Sequence, residues 1–237
     1  MTKTLLQIAC AALLFCQPAR AETFLQKILR ITGVSATPSQ QKGPGEEIEG
    51  GGEIWLANVK TGSLRKLSAS AGFRSPIFTA DDRAVMAIKG ETVWRLSLAG
   101  GPAQKLHDVA GLTKLVGPDR DDPDKILLMI ERADTPVVAL LSIASGKTTE
   151  IPYDPKLSED RKLLSHLKGW ERVYGDTKIY AQAQTREGLA GTVEWYDVFL
   201  KKGDAEPVNV SRCDGANCGQ PSLSGDGTQA VFVRSKQ

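Results

Sequence analysis

Residues 221–233 read PSLSGDGTQAVFV, and this segment is the clearest indication of the fold. Asp226 and Gly227 are residue types that form tight turns, and the apolar run that follows is typical of a strand buried on both faces. The same pattern stands 145 positions earlier, in residues 76–88, PIFTADDRAVMAI. Degenerate copies occupy 115–130 and 170–181. We therefore predict four turn-and-strand units along the chain.

A second repeated unit alternates with the first and has the pattern of a two-stranded hairpin. Its copies occupy residues 54–67, 93–106, 137–151 and 193–210, and each copy has a glycine in its turn: Gly62, Gly101, Gly146 and Gly203. Trp55, Trp94 and Trp195 hold equivalent positions in their copies. That equivalence favours packing between neighbouring units over an exposed carbohydrate-binding platform.

The motif P-x-x-S-x-D-G before an apolar strand resembles the WD40-like repeat of TolB-type β-propellers. It is also similar to the propeller that precedes the hydrolase domain in the prolyl-oligopeptidase family. The resemblance covers residues 52–235 and implies an all-β propeller of four-stranded antiparallel blades. TolB itself has six blades and a separate α/β domain, so the chain resembles the repeat and not the whole protein.

Four blades account for the repeats. We expect complete blades at 75–106, 112–151 and 166–210, and a fourth blade closed by pairing residues 220–234 with residues 53–67. Closure removes the exposed sheet edges that an open array would leave. The alternative is half of a larger ring that a second chain completes; we expect a monomer.

The first 21 residues have the features of an export signal. Lys3 precedes an apolar run from Leu5 to Phe15, and Ala19-Arg20-Ala21 fits the small-x-small cleavage pattern. We predict cleavage after Ala21 and a periplasmic or secreted protein. A buried N-terminal helix is one alternative. A lipoprotein is another, although Phe15 stands before Cys16 where a small residue is required.

The remaining domain boundaries follow from composition. Residues 22–51 are predicted to form a short amphipathic helix, at 22–33, and a flexible linker, and residues 52–237 the propeller. No later stretch approaches the roughly 20 apolar residues of a transmembrane helix.

Charge and cysteine usage narrow the possible functions. The chain carries 30 Lys+Arg against 28 Asp+Glu, a balance that argues against nucleic-acid binding. Once the signal is removed only Cys213 and Cys218 remain, and in an oxidising compartment we expect a disulfide between them. A zinc site is the alternative, but the chain has no second cysteine pair.

The sequence offers little for catalysis. It lacks the G-x-S-x-G pentad of a serine-hydrolase elbow. His107 and His166 fall in predicted loops between blades. Residues 119–124, DRDDPD, could bind calcium, but they occupy a turn position of the repeat, which favours an elongated surface turn. We therefore predict no catalytic residue, no metal and no cofactor.

The loops that connect blades, and those between second and third strands, form the expected binding face. Five of these loops carry one arginine each: Arg74, Arg132, Arg161, Arg186 and Arg212. If these side chains converge, their planar donors suit an envelope protein, an acidic peptide or a small acidic ligand. The alternative is five unrelated solvated arginines.

The predicted function is an exported, non-catalytic binding module of the bacterial cell envelope. One alternative is a propeller-fold enzyme, similar to a glycosidase or a lactonase, that uses carboxylates in the central channel. Another is a periplasmic assembly factor that docks through its 22–33 helix.

Overall fold

The computed structural model describes residues 51–119, 121–133, 135–151, 176–188 and 191–236. The regular structure of these residues is all β-strand: β1 (Glu53–Asn58), β2 (Leu64–Lys66), β3 (Arg74–Phe78), β4 (Ala84–Lys89), β5 (Thr92–Ser97), β6 (Gln104–Asp108), β7 (Leu112–Pro118), β8 (Lys125–Arg132), β9 (Thr135–Ser142), β10 (Thr148–Glu150), β11 (Thr177–Gly188), β12 (Gly191–Lys202), β13 (Val208–Asn209), β14 (Asn217–Leu223) and β15 (Gln229–Ser235). Within these ranges no helix is long and apolar enough to span a membrane. The predicted signal, amphipathic helix and linker, together with Arg161, His166 and Trp170, lie outside the described residues.

The strands form four antiparallel sheets, as a four-bladed propeller requires. The terminal sheet has the order β14-β15-β1-β2, the second sheet β3-β4-β5-β6, and the third sheet β10-β9-β8-β7. The described part of the fourth sheet has the order β11-β12-β13. The all-β propeller predicted from the repeats is confirmed.

The terminal sheet joins the two ends of the described chain. Its central pair is β1 and β15, which run antiparallel from Glu53 opposite Arg234 to Asn58 opposite Gln229. The C-terminal segment supplies the two inner strands and the N-terminal segment the two outer ones. This arrangement confirms the predicted closure of one blade by both ends of the repeat region.

The second strands β4, β8 and β15 are buried on both faces because each lies between two neighbouring sheets, whereas the described residues of β11 are half-buried or exposed. On β4, Val85 and Ala87 pack into an apolar cluster shared with the terminal sheet, while Met86 and Ile88 pack into a cluster shared with the third sheet. A third cluster joins the terminal and fourth sheets and includes Phe232, which is fully buried. Because successive side chains of a strand point to opposite faces of the sheet, one apolar strand contacts both neighbouring blades.

The repeated tryptophans lie at these contacts, as expected. Trp94 packs against the cluster between the terminal and second sheets, and Trp55 and Trp195 against the cluster between the terminal and fourth sheets. Phe73 meets the Trp94 ring edge to face, with ring centroids 6.1 Å apart. All three indoles are half-buried.

In the two clearest repeats the Asp closes its turn by accepting a hydrogen bond from a hydroxyl group. Thr79 Oγ1 donates to Asp81 Oδ1 at 2.7 Å, and the equivalent Ser224 Oγ donates to Asp226 Oδ1 at 2.6 Å. These hydrogen bonds are the main reason that the pKa of each carboxyl lies below its usual value. The 145-residue repeat is therefore preserved in bonding as well as in sequence.

Inner strands carry a matching irregularity. Ser75 on β3 and Gln220 on β14 are 145 residues apart, and both adopt positive φ, 53° and 51°. The pairing register shifts at both places, as in a β-bulge. The Ser75 amide donates to Gln220 Oε1 at 2.6 Å, so the two bulges meet where the terminal and second sheets adjoin.

The acidic segment that follows β7 forms a turn. Asp119 is buried and accepts the amides of Asp121 and Asp122, both at 2.9 Å. Asp122 pairs with Lys125 at 2.9 Å, and Asp124 accepts the Ser142 hydroxyl at 2.7 Å. These carboxylates are engaged in holding the β7–β8 connection.

The assignment of His107 to a loop was wrong. His107 lies in β6 opposite Val93, because β6 continues to Asp108 instead of ending at Leu106. Its Nε2 is 2.6 Å from the carbonyl oxygen of Ile143 in the third sheet. The ring therefore belongs to a blade-to-blade contact.

Candidate binding face

Arg74, the first arginine of the predicted face, is bound to the backbone of two blades. It begins β3, and its guanidinium donates to the carbonyls of Gly90, at 3.0 Å, of Leu112, at 2.8 Å, and of Thr113. Gly90 follows the second strand of one sheet, while Leu112 and Thr113 begin the first strand of the next. The contact shows that these strand ends share one face of the molecule.

Arg132 and Arg186 lie on second strands, at or close to their C-terminal ends. Arg132 Nε pairs with Glu150 Oε1 at 2.6 Å, and Arg186 Nη1 with Asp214 Oδ1 at 3.2 Å. All four side chains are at least half exposed. Arg186 is part of β11 and not of a loop, because β11 continues to Gly188.

Arg212 lies at a different place from Arg74, Arg132 and Arg186. Its guanidinium packs against Gly62, where an added Cβ would be 2.7 Å from Nη2. Gly62 belongs to the turn between β1 and β2, the two outer strands of the terminal sheet. The structure thus places Arg212 at the rim between two blades, and Arg161 lies outside the described residues.

A regular set of cations emerges instead from the strand topology. Second strands run in the same direction in every blade, so their C-terminal ends share one face. Each of the four second strands carries a cation at its last residue or within two residues of it; we call these the strand-end cations: Lys89, Arg132, Arg186 and Arg234. Arginines in loops had been the expected signal. The 145-residue repeat, which aligns Lys89 with Arg234, could have revealed this set.

Three of the strand-end cations lie over aromatic rings. Lys89 Nζ is 5.1 Å from the centroid of Phe73. The guanidinium carbon of Arg186 is 5.6 Å from Trp195, and that of Arg234 is 5.0 Å from Trp55. Such contacts hold a cation in place without neutralising its charge. Aromatic residues that pack between blades therefore also orient the charged face.

The fourth sheet adds a projecting feature to this face. β11 and β12 have 12 residues each, against 6 each in β4 and β5. At about 3.3 Å per residue the longer hairpin extends roughly 40 Å instead of 20 Å. β13 pairs with β12 only at Phe199 and Leu200, so among the described residues the distal half of the hairpin has no third strand beside it in its own sheet. We call residues 184–188 and 191–195 the ribbon.

The ribbon is exposed at its end and fixed at its base. Val193 is 39% exposed. At the base, Trp195 Nε1 donates to Asp197 Oδ2 at 3.0 Å, and the Tyr196 amide donates to Asn217 Oδ1 at 3.2 Å. A fixed base lowers the entropic cost that a flexible arm would incur on binding.

Asp197 organises this base and was not identified from the sequence. It is 4% exposed and accepts hydrogen bonds from the Ser211 hydroxyl, the Cys213 amide and the Asn209 side chain, in addition to the Trp195 indole. A buried carboxylate is tolerated when its oxygens are paired in this way. Nothing in the local sequence distinguishes this Asp from the many in turns.

The disulfide expected between Cys213 and Cys218 is present. Both cysteines are fully buried, and the Cα atoms are 6.2 Å apart. The loop that they close also contains Asp214, the partner of Arg186. The cross-link therefore fixes the segment that the ribbon contacts through the Arg186–Asp214 ion pair.

Catalytic or metal-binding clusters are not apparent in the part of the chain that the structure describes. No group of three or more His, Cys, Asp or Glu side chains there could hold a metal ion. The described carboxylates discussed above act in turns, in ion pairs or in the Asp197 network.

Structural comparison finds a weak similarity to TolB proteins. A TolB protein from Acinetobacter baumannii aligns with 78% of this chain and 48% of its own length, at 12% identity and a TM-score of 0.36. A protein assigned as TolB from Agrobacterium tumefaciens aligns with 75% of this chain and 59% of its own, at 17% identity and a TM-score of 0.36. These neighbours are TolB propellers. The chain spans about half the length of these two structures.

A peptidase is also among the structural neighbours. The tricorn protease aligns with 69% of this chain but only 15% of its own length, at 13% identity and a TM-score of 0.31. No protein-family model matches the sequence, and no curated protein matches it.

Proposed function

We propose that this chain is an exported, non-catalytic β-propeller that binds an acidic segment of a cell-envelope protein through the face carrying the strand-end cations and the ribbon. The observation that carries the proposal is the repeated placement of a cation at the end of every second strand. Two of these cations, Lys89 and Arg234, also stand at equivalent positions of the 145-residue repeat.

The chemistry of this face suits a carboxylate-rich partner. Guanidinium groups form paired hydrogen bonds to carboxylates, and those that lie over indole rings are already oriented for such contacts. Arg132 and Arg186 have acidic neighbours in exposed ion pairs, which are worth only about 0–1 kcal/mol each. A partner that supplies better-placed carboxylates can replace those neighbours at small cost.

The ribbon supplies apolar and backbone contacts beside the charges. Its distal residues are exposed, with Val193 at the surface and the Thr192 hydroxyl donating to Glu187 across the strands at 2.8 Å. Among the described residues the projecting hairpin has few neighbours within its own blade, so binding is a better reason for its length than packing.

Export and the absence of catalysis rest on separate support. A buried disulfide is typical of oxidising compartments, in agreement with the export signal predicted from residues 1–21. Several of the described acidic side chains, among them Asp81, Asp124 and Asp197, are held by structural partners, which favours binding over hydrolysis. TolB neighbours agree with a binding role.

Site-specific photo-crosslinking in cells tests this proposal. A photoreactive residue is placed at Val193 on the ribbon, or at Val208 on β13 as the matched control; Val208 is 57% exposed but lies on an outer strand. We expect the Val193 probe to capture one partner that mass spectrometry identifies, and the Val208 probe to capture none. Arg132→Gln together with Arg186→Gln should reduce the yield at least tenfold.

Two results would contradict the proposal. Equal capture from Val193 and Val208 would mean that the ribbon is not a binding element. Capture that is unaffected by the arginine substitutions, but lost on deletion of residues 22–33, would transfer the function to the N-terminal segment.

A further inference from the structure

The second sheet contains a cleft that plays no part in the proposed binding face. Its volume is about 600 Å³, and its walls include Arg83, Arg95, Ser97, Gln104 and, from the terminal sheet, Gln229. We propose that this cleft binds a small anion that carries two or more carboxylate groups.

Two departures from the repeat supply the cations of the cleft. Arg83 stands 145 residues before Thr228, its counterpart in the terminal sheet, and Arg95 stands 39 residues after Leu56. Leu56 is 8% exposed and packs against the second sheet, whereas Arg95 is exposed. The repeat therefore explains neither cation, and both line one concave surface.

Both guanidiniums are available for a ligand. Among the described residues neither side chain has a hydrogen bond or an ion pair of 4 Å or less; Arg83 interacts with Asp81 only at longer range. Asp82, the acidic group of the lining, accepts the Gly225 amide at 3.0 Å through Oδ1. The cationic side of the cleft is thus not matched by an internal partner.

The remaining lining favours a carboxylate of modest size. Gln104, Gln229 and Ser97 can donate hydrogen bonds, and Leu98 and Pro102 add apolar surface to the lining. The Leu98 carbonyl is fixed by a 2.7 Å hydrogen bond from Arg65 of the terminal sheet. A volume near 600 Å³ is in the usual range of small-molecule sites, and two forked cations match two planar carboxylates.

Titration of the full chain with citrate, followed by isothermal calorimetry and by amide chemical shifts, tests this inference. We expect citrate to shift the amides of Arg83, Arg95 and Gln229. Arg83→Gln or Arg95→Gln should weaken citrate binding at least tenfold, and the double variant at least a hundredfold. Lys147→Gln, which removes the same charge from an exposed position in the third sheet, should bind citrate as the parent does.

Inorganic phosphate and acetate are the comparison probes. Acetate should bind at least tenfold more weakly than citrate, because it engages only one guanidinium. Equal citrate affinity in the parent and in the double variant would overturn the inference, as would a complete absence of citrate binding. Tighter binding of phosphate than of citrate would overturn the assignment to carboxylates.

Discussion

Arg74 is bound to backbone carbonyls, so its role is structural and not the binding role that the sequence suggested. Its replacement by alanine should therefore lower the free energy of unfolding measurably. The substitution removes three hydrogen bonds from one guanidinium, to the carbonyls of Gly90, Leu112 and Thr113. Hydrogen bonds that involve a charged group contribute about 1.5–3 kcal/mol when buried, and considerably less when exposed. Two of the three are exposed, so we expect a total loss of about 3 kcal/mol in the free energy of unfolding.

Arg186→Ala is the matched comparison. It removes an exposed ion pair and a contact with the Trp195 ring, which together are worth about 1 kcal/mol. Urea unfolding followed by tryptophan fluorescence measures both variants, with the free energies obtained by linear extrapolation. In the photo-crosslinking assay the order should reverse: Arg186→Ala should reduce capture at Val193 more than Arg74→Ala does.

The reasoning fails if Arg74→Ala unfolds within about 0.5 kcal/mol of the parent, the range of ordinary surface substitutions. That result would mean that the three carbonyls are equally well satisfied by water. Arg74 would then be free to act as the sequence suggested, as a ligand-binding donor.

The remaining predictions concern the repeat turns and the disulfide. Asp81→Asn with Asp226→Asn should lower the urea midpoint at pH 7, and this difference from the parent should shrink as the pH falls from about 5 to 3. The pKa of each carboxyl is depressed in the folded protein. The carboxylates therefore stabilise the fold above the unfolded pKa, near 4, and lose that effect as they are protonated. An equal deficit at pH 3 and pH 7 would contradict this. Cys213→Ser with Cys218→Ser should cost about 2 kcal/mol in urea unfolding, the entropy of so short a loop; a cost below about 0.5 kcal/mol would mean that the neighbouring contacts alone hold the segment. Gly146→Ala should destabilise the protein more than Gly203→Ala in the same assay. Both glycines have positive φ. However, a Cβ at position 146 would be 2.5 Å from His107 Nδ1, whereas a Cβ at position 203 would meet no atom within 4 Å. Equal losses of stability in the two variants would show that the His107 ring moves aside from position 146 without an energetic cost.

Much of the fold could be predicted because the repeat consists of residue types that have the same local structural role wherever they occur. Asp226 and its hydroxyl partner Ser224 specify a turn wherever they occur, and the apolar run after them specifies a buried strand. Counting such units also led to the closure of the terminal sheet, since neither end of the repeat region has enough strands for a blade of its own.

The candidate site was predicted less well, because side-chain direction depends on residues distant in sequence. Arg74 lies near a predicted loop, yet its partners are carbonyls 16 to 39 positions away. Arg212 is directed by Gly62 of another blade. Lys89 and Arg234 were not predicted because they lie at the ends of strands, and the expected binding face was built from loop residues only.

The length of the ribbon was also hidden. Residues 184–188, QTREG, are polar and show no alternation of apolar and polar side chains, which is the usual signal of a strand. β11 continues through them because its partner β12 pairs residue by residue as far as Gly191. Pairing across a hairpin, and not local propensity, determines this element.

Closure of the propeller within one chain underlies the whole account, since it places the four strand-end cations on one face of one molecule. Cysteines at Asn58 and Gln229, which are register partners on β1 and β15, test it directly. Directly opposed residues in an antiparallel pair have Cβ atoms about 5 Å apart, near enough for mild oxidation to join them. The account predicts a cross-link within a monomer, identified by peptide mass spectrometry and by mobility on a non-reducing gel. A disulfide-linked dimer through the same two positions would contradict it, and would show that a second chain completes the ring.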